Sequence, residues 1–454
     1  LFFFPFFKED SGGMTAGQST PSSEDDEAER NENDQFQRGL SSQQSPSGYS
    51  VESEESLIDK LSSRMGSMQI AEDGQLRFFG ATSNLHIIHK GPLSLARSRF
   101  RSPSQDAQKM LDSAGVGHHV SRDLEDHLLK LYFCWEDPSI HIVNEDVFWR
   151  DRRRYLEEEL HGADGGGGRL IPGTTTGPRY YSEGLTNAMC AFGAAFTSRP
   201  CLDLPEPLVD FFAVKAKVLL EPELDAPGPA TVQALVVLSA VEASLARDAR
   251  GWLTSGMAVR LAIDLGLHQD PQPYVDAGRI DAAEAEVRKE IWGGVFLHDR
   301  MWSLYIGRPS AIHDRDITVP LPQPEALAGV RMRHWTPYTD EGSAMAVQSS
   351  PPSASSPDDS NNNNHTSTAL VDDFGHFIAL NITLSAKMSY IREHFYPDSR
   401  RHQNLAHVYL LAEKARADLL DWHARLPEQF QINEDGDGDG NIRDVYPPHV
   451  IQIQ

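Results

Sequence analysis

The sequence predicts an all-α fold, a multi-helix array with a disordered N-terminal arm and low-complexity insertions. Three observations point there. Between its polar breaks the chain repeats apolar residues at helical spacing, with hardly any strand-like alternation. Pro200, Pro205, Pro227 and Pro229 fall between the helical runs, where they punctuate without breaking a turn. Residues 8 to about 73 are dominated by Ser, Gln, Glu, Asp and Gly, which bury too little apolar surface to offset ordering entropy.

The elements follow in order. Leu124, Leu128, Leu131 and Tyr132 share one face of a helix over 121–133, with Ser121 as its N-cap. Asn144 caps a second helix over 144–160. In it Arg152, Arg153 and Arg154 stand about one turn before Glu157, Glu158 and Glu159, which predicts a solvated, self-paired face. Further helices are predicted over 181–197, 206–221, 229–248, 252–265, 282–306, 372–396 and 403–425.

Two of these bear on the core. The helix from Trp252 to Leu265 is apolar on nearly every side and is expected to be buried all round. Gly256 would admit a close neighbour, and Gly266 is a natural stop. Arg260 and Asp264, one turn apart on its polar strip, are a candidate ion pair. The next helix carries Ile291, Trp292, Val295, Phe296, Trp302 and Ile306 on one stripe, with Asp299 in the middle. A carboxylate there must be paired or shifted in pKa. Arg308 or Arg260 is the expected partner.

The domain reading is a disordered acidic arm over 1–73, a connector over 74–120 and a core helical domain over 121–323. A low-complexity insertion over 324–370, a C-terminal helical part over 371–430 and an acidic loop with a truncated end over 431–454 complete it. LARSRFRSPSQ at 95–105 reads as a polar connector, with Ser102 and Ser104 as candidates for modification. The opening LFFFPFF reads as a fragment boundary, with the true N-terminus missing.

Composition excludes several classes. A net charge of −25 and a pI near 5.1 argue against a chain that binds polyanions by itself. Cys134, Cys190 and Cys201 form no C-x-x-C pair, so neither a disulfide framework nor a zinc site is expected. The best apolar stretch, Ala234 to Val241, is under half of the roughly 20 residues a membrane helix needs.

Catalytic signatures fail one by one. The chain has no G-x-S-x-G elbow, no H-E-x-x-H and no phosphate-binding G-x-x-x-x-G-K. Asp372 and Asp373 suggest an Asp-rich metal motif, but its third acid position holds His376. EDGDGDG at 434–440 imitates a calcium loop through Asp435, Asp437 and Asp439, yet the closing acid position is Tyr446. No catalytic or metal residue is assigned, and no enzyme activity is expected.

GQLRFFGATS at 74–83 resembles the stretch that opens the regulatory region of fungal zinc-cluster transcription factors. The resemblance continues through LLKLYFCWEDPSIHIVNEDVFWRD (128–151), TVQALVVLSAVEASLARDARGWLTSGMAVRLAIDLGLHQDP (231–271) and EVRKEIWGGVFLHDRMWSLYIGRPSAIHDRDITVPLP (286–322). LDWHARLP at 420–427 and PPHV at 447–450 look like the family's later elements. The order and spacing of these blocks cover most of the chain from about 74 onward, and they look like the xylanolytic-activator type of regulatory domain. Gly293 departs from the pattern, standing where the family often has a second Trp after Trp292.

The resemblance implies a nuclear regulator of DNA-templated transcription whose helical array senses effectors and restrains activation. It also implies an N-terminal six-cysteine cluster that binds two zinc ions and reads DNA. Three widely spaced cysteines cannot build that cluster, so zinc and DNA binding are expected of the complete protein and not of this chain. The expected partners are transcription machinery or co-regulators, a small-molecule effector and a second copy of the chain. A cluster-free co-regulator acting by protein contacts is the alternative. Trp252, His268, Trp292, Trp302 and Tyr305 could line an effector pocket; ordinary core packing is the other reading of the same residues.

Overall fold

Helices carry the architecture, and the paired strands are all short. The computed structural model describes residues 67–70, 76–80, 103–162, 178–322, 333–334, 337–343, 371–372, 374–395 and 405–427. Strands β1 (Ser67–Ile70) and β2 (Leu76–Phe79) form an antiparallel hairpin, with Met68 opposite Phe78. Then come α1 (Pro103–Ser113), α2 (Arg122–Trp135), the single turn α3 (Asp137–Ile140) and α4 (Glu145–Gly162). Next are α5 (Glu183–Gly193), α6 (Leu208–Glu223), α7 (Pro229–Ser244) and α8 (Asp248–Asp264). The short α9 (Gln272–Asp276) leads to the long α10 (Ala282–Ile306). Four two-residue strands follow: β3 (Arg333–His334), β4 (Tyr338–Thr339), β5 (Gly342–Ser343) and β6 (Val371–Asp372). They pair as β3 with β6 and β4 with β5. Helices α11 (Phe374–Phe395) and α12 (Leu405–Ala424) complete the order.

All of these elements lie in one unit of the chain, which takes in residues 67–79 and 83–454. The other unit, 2–66 and 80–82, holds Gly80 as its one described residue. The acidic clusters of the arm, the 163–177 glycine loop and the 434–440 loop fall outside the described residues.

Local chemistry explains the helix ends. Ser121 Oγ accepts from the Leu124 N–H at 3.3 Å, Asn144 Oδ1 from Val147 at 3.1 Å, and Ser182 Oγ from Leu185 at 3.0 Å. Pro229 occupies the first turn of α7, where its missing N–H costs nothing. Gly266 and Gly307 end α8 and α10 with positive φ, 66° and 68°, a conformation glycine adopts without strain.

The core forms where α5 packs on α2, α6 and α7, and α7 packs on α8. Helix α10 crosses α8, and α11 covers α10 and carries α12. Every residue of α7 from Pro229 to Ala243 is buried, Gln233 and Glu242 included. Gln233 Nε2 donates to the Ile142 carbonyl at 2.8 Å, and Glu242 pairs with Lys217.

Several expectations are corrected. Helix α8 is not buried all round: Leu253, Met257 and Arg260 are exposed, and its buried face is the Gly251, Ser255, Ala258, Val259 and Ala262 side. The close approach is at Gly251, where a Cβ would stand 2.6 Å from the Trp302 ring and 3.0 Å from the Ser239 carbonyl. At Gly256 the nearest atom to such a Cβ is Arg260 Nη1 at 3.5 Å. Gly293 gives room to a neighbour, because Ile382 of α11 reaches within 3.3 Å of where its Cβ would be. Residues 67–70, read as part of the disordered arm, pair with β2, and Met68 is buried. The interval 324–370, read as a low-complexity insertion, contains β4–β5. There Asp340 accepts from Ser198 N–H at 2.7 Å and lies 2.9 Å from His127 Nε2. Arg152 does not join a solvated face. It is buried across Trp149 and pairs with Glu125 and Asp126 of α2 at 2.5 and 2.8 Å, because α2 packs beside it. Arg154 and Glu158 pair along α4 at 3.1 Å. The polar connector at 95–105 gives way to α1 at Pro103.

Candidate functional site

The residues singled out from sequence fall around α8 and α10 in three groups. The first is a buried ionic clasp. Asp299 lies inside the core, and its partner is the adjacent Arg300, not Arg308 or Arg260. Arg300 is 0% exposed and lies over the Phe296 ring at 4.6 Å. Its Nη1 donates to Asp299 at 2.8 Å, and its Nη2 to the Ile312 carbonyl at 3.0 Å and to Asp314 at 2.6 Å. The Ala311 N–H donates to both Asp299 oxygens, at 3.0 and 3.1 Å. Burial raises the Asp299 pKa, while the Ala311 N–H and Arg300 pull it back. The clasp ties the segment after α10 to the helix it has just left.

Arg308 and Arg260 cannot serve because both point outward. Arg308 stacks its guanidinium over the Trp252 ring at 4.3 Å, and Arg260 lies exposed along α8. Asp264 pairs with Arg77 of β2 instead of Arg260, since the hairpin lies against the end of α8.

The second group holds Trp302 and Tyr305. Trp302 Nε1 donates to Ser239 Oγ at 2.9 Å and lies 3.1 Å from His298 Nε2; the Ser239 hydroxyl donates to the Gly251 carbonyl at 2.7 Å. Burial lowers the His298 pKa to about 3, so the ring is neutral and accepts. This network pins α10 to α7 and α8 through polar atoms that are all internal. Tyr305 packs edge-on to Trp302, with its hydroxyl 3.4 Å from Asp248.

The third group holds His268 and Trp292, with ring centroids 5.9 Å apart and Phe78 of the hairpin edge-on to His268 at 4.8 Å. Burial lowers the His268 pKa to about 4. Met68 anchors the same hairpin: its N–H donates to the Tyr274 hydroxyl at 2.8 Å, and its sulfur accepts from buried Arg288 at 3.7 Å.

The five candidate pocket residues therefore fall into two contacting pairs, Trp302 with Tyr305 and His268 with Trp292, and Trp252 beneath Arg308. Trp292 and Trp302 are 0% and 1% exposed and fill the core. Two cavities open elsewhere. One of about 600 Å³ is lined by Lys217, Glu242, Arg247, Asp248 and Arg250 among others. One of about 260 Å³ lies between α11 and α12, beside Lys387, Tyr390 and Asp418. None of the five lines either.

Sequence reasoning missed Arg300, Asp314, Arg77 and the Ser239–His298 pair. A signal was present in the run His298-Asp299-Arg300, three polar residues inside an apolar stripe. Such a run implies that the helix carries its own counter-ion.

No group of three or more His, Cys, Asp or Glu among the described residues is placed to hold a metal ion. The cysteines do not fit a cluster. Cys190 is buried and its thiol pKa is raised by desolvation, while Cys134 Sγ accepts the Tyr338 N–H at 3.3 Å. Among the described residues no helix is long and apolar enough to cross a membrane.

Comparison with known proteins adds the following. Residues 129–330 match the fungal specific transcription factor domain. The nitrogen assimilation transcription factor nit-4 of Neurospora crassa is 29% identical over 401 residues, covering 86% of this chain and 32% of its own length. The nitrogen assimilation transcription factor nirA of Emericella nidulans is 29% identical over 295 residues, 62% of this chain and 29% of its own. The Zn(2)-C6 fungal-type transcription factor FTF1c of Fusarium oxysporum is 26% identical over 227 residues, 47% of this chain and 22% of its own. The chain thus spans a third or less of the length of these relatives. No solved structure matches.

Proposed function

We propose, from the match of residues 129–330 to the fungal specific transcription factor domain, that this chain is the regulatory, effector- or partner-responsive body of a nuclear zinc-cluster transcription factor. DNA contact and zinc belong, in this reading, to a separate six-cysteine segment of the complete protein. The observation that carries it is the match of residues 129–330 to this domain, together with the similarity to nit-4 across 86% of the chain.

The proposed mechanism is conformational. The β1–β2 hairpin enters the body at one clamped point, through Arg77–Asp264 and Met68 against Tyr274 and Arg288. A ligand or partner that prefers one arrangement of α8, α10 and this hairpin shifts the populations by its differential affinity and no further. The Trp302 network joins α7, α8 and α10, and the buried clasp fixes the segment after α10 to that helix.

A salt titration of the chain against duplex DNA tests this reading. No specific binding is expected of a chain with net charge −25, because phosphate contact needs a cationic surface. Tight site-specific binding would place the DNA reader within this chain and overturn the reading.

A further inference from the structure

The outer face of α8 is an apolar stripe with a cationic frame, and we propose that it docks an acidic amphipathic helix of a partner protein. The apolar part is Leu253 and Met257, one turn apart, 59% and 42% exposed. Tyr305 at the end of α10 is 48% exposed beside the start of α8. Gly256 leaves a notch between Trp252 and Arg260, one turn to either side, and a Cβ there would meet only the Arg260 guanidinium. Leucine and methionine turned to water on a rigid, well-packed helix are a cost in the free chain that a covering partner removes.

The charge around this stripe selects the partner. Arg250 and Arg260 flank Leu253 and Met257 on α8, and Arg308 lies at the edge over Trp252. All three are exposed, and none holds a carboxylate among the described residues. Elsewhere on the body Arg77, Arg152, Arg179, Arg247 and Arg300 each hold one, while exposed Arg122, Arg153 and Arg279 hold none among the described residues. What sets Arg250, Arg260 and Arg308 apart is that they gather around one exposed apolar patch, where the nearby Asp248 faces the Tyr305 hydroxyl. Screening beyond roughly 8 Å leaves these near charges, not the net charge, to govern a docked helix.

The complementary ligand is a helix with two or three apolar side chains at i, i+3 or i+4 and Asp or Glu on its shoulders. A basic helix would meet like charge. A second copy placed by a two-fold axis over this face would oppose its own arginines. This surface can be tested without any reference to zinc or DNA.

The test uses the full chain and dye-labelled synthetic peptides followed by fluorescence anisotropy. One peptide has leucines at helical spacing with glutamate shoulders, a second has lysine in place of glutamate, and a third has serine in place of leucine. The glutamate–leucine peptide is expected to bind about tenfold or more tighter than either control, and to weaken as salt rises. Arg250→Glu with Arg260→Glu, and separately Leu253→Ser with Met257→Ser, should each cost it about tenfold. All four side chains are exposed, so unchanged thermal melting checks the fold, and Arg250→Gln with Arg260→Gln replaces the charge reversal if melting shifts. Equal binding of glutamate and lysine peptides, or binding that survives both double variants, would overturn the proposal. So would a dimer of the unliganded chain that Arg250→Glu with Arg260→Glu dissociates, since the occupant would then be a second copy.

Discussion

Helices α7 and α8 are neighbours of nearly equal length, yet they meet water differently. Helix α7 is enclosed from Pro229 to Ala243 and carries its polar groups inside, with Gln233 on a carbonyl and Glu242 on Lys217. Helix α8 gives its small residues to the core and turns Leu253, Met257 and Arg260 outward. From sequence it was α8, between Trp252 and Leu265, that read as apolar on nearly every side. What separates them is side-chain size. Gly251, Ser255, Ala258 and Ala262 let α8 lie close on α7 and Trp302, while Leu253 and Met257 are left on the far side and Val259, Leu261 and Ile263 pack with the core. In this pair, small residues mark the closest helix contact, and the outward face of α8 leaves Leu253 and Met257 in water.

The sharpest way to break the enclosed side is at the clasp. Arg300→Met leaves Asp299 buried with only the Ala311 N–H, and is expected to cost about 3–5 kcal/mol in urea unfolding. A loss under about 1 kcal/mol would mean that the clasp does not hold the segment after α10. The contact of α8 with Trp302 is next. Gly251→Ala places a methyl 2.6 Å from the ring and should cost about 1–3 kcal/mol, whereas Gly256→Ala, with nothing closer than 3.5 Å, should be neutral or stabilising. Equal effects at the two glycines would erase the distinction between the faces.

Protonation probes the same interior more gently. His298 has its pKa depressed from 6.5 to about 3 by burial, so the unfolded chain binds more protons between these values. Its stabilising share is complete above about pH 6.5 and is lost as pH falls towards 3. The native chain should therefore lose stability over that window more steeply than His298→Gln, as read by chemical unfolding at successive pH values. Parallel profiles would show that His298 is not held neutral. The smallest effect is expected outside: Leu253→Ser on the open face of α8 should change stability by about 0.5 kcal/mol or less.

Much of the helical order was legible because caps and prolines are local signals. Ser121, Asn144 and Pro229 start helices where the sequence suggests, and the helix over 282–306 has those limits in the structure. The burial of Asp299 was legible too, from its place in an apolar stripe. Its partner was not, because rotamer and crossing geometry decide whether Arg300 or a residue further on reaches the carboxylate. The Arg77–Asp264 pair spans 187 positions, and no periodicity reports contacts of that range. Residues 67–70 were hidden for the same reason: four residues of mixed polarity become a strand only when β2 and the surface near Tyr274 are present.

We propose above that this chain is the regulatory body of a transcription factor and not its DNA reader, and that proposal is open to direct test. It is tested most directly by fusing the chain to a heterologous DNA-binding domain and measuring a reporter downstream of that domain's site. The account predicts that the fusion changes reporter output relative to the DNA-binding domain alone, in either direction. It further predicts that Arg250→Glu with Arg260→Glu alters that change while leaving the melting temperature where it was. A folded fusion whose output matches the DNA-binding domain alone would contradict the account.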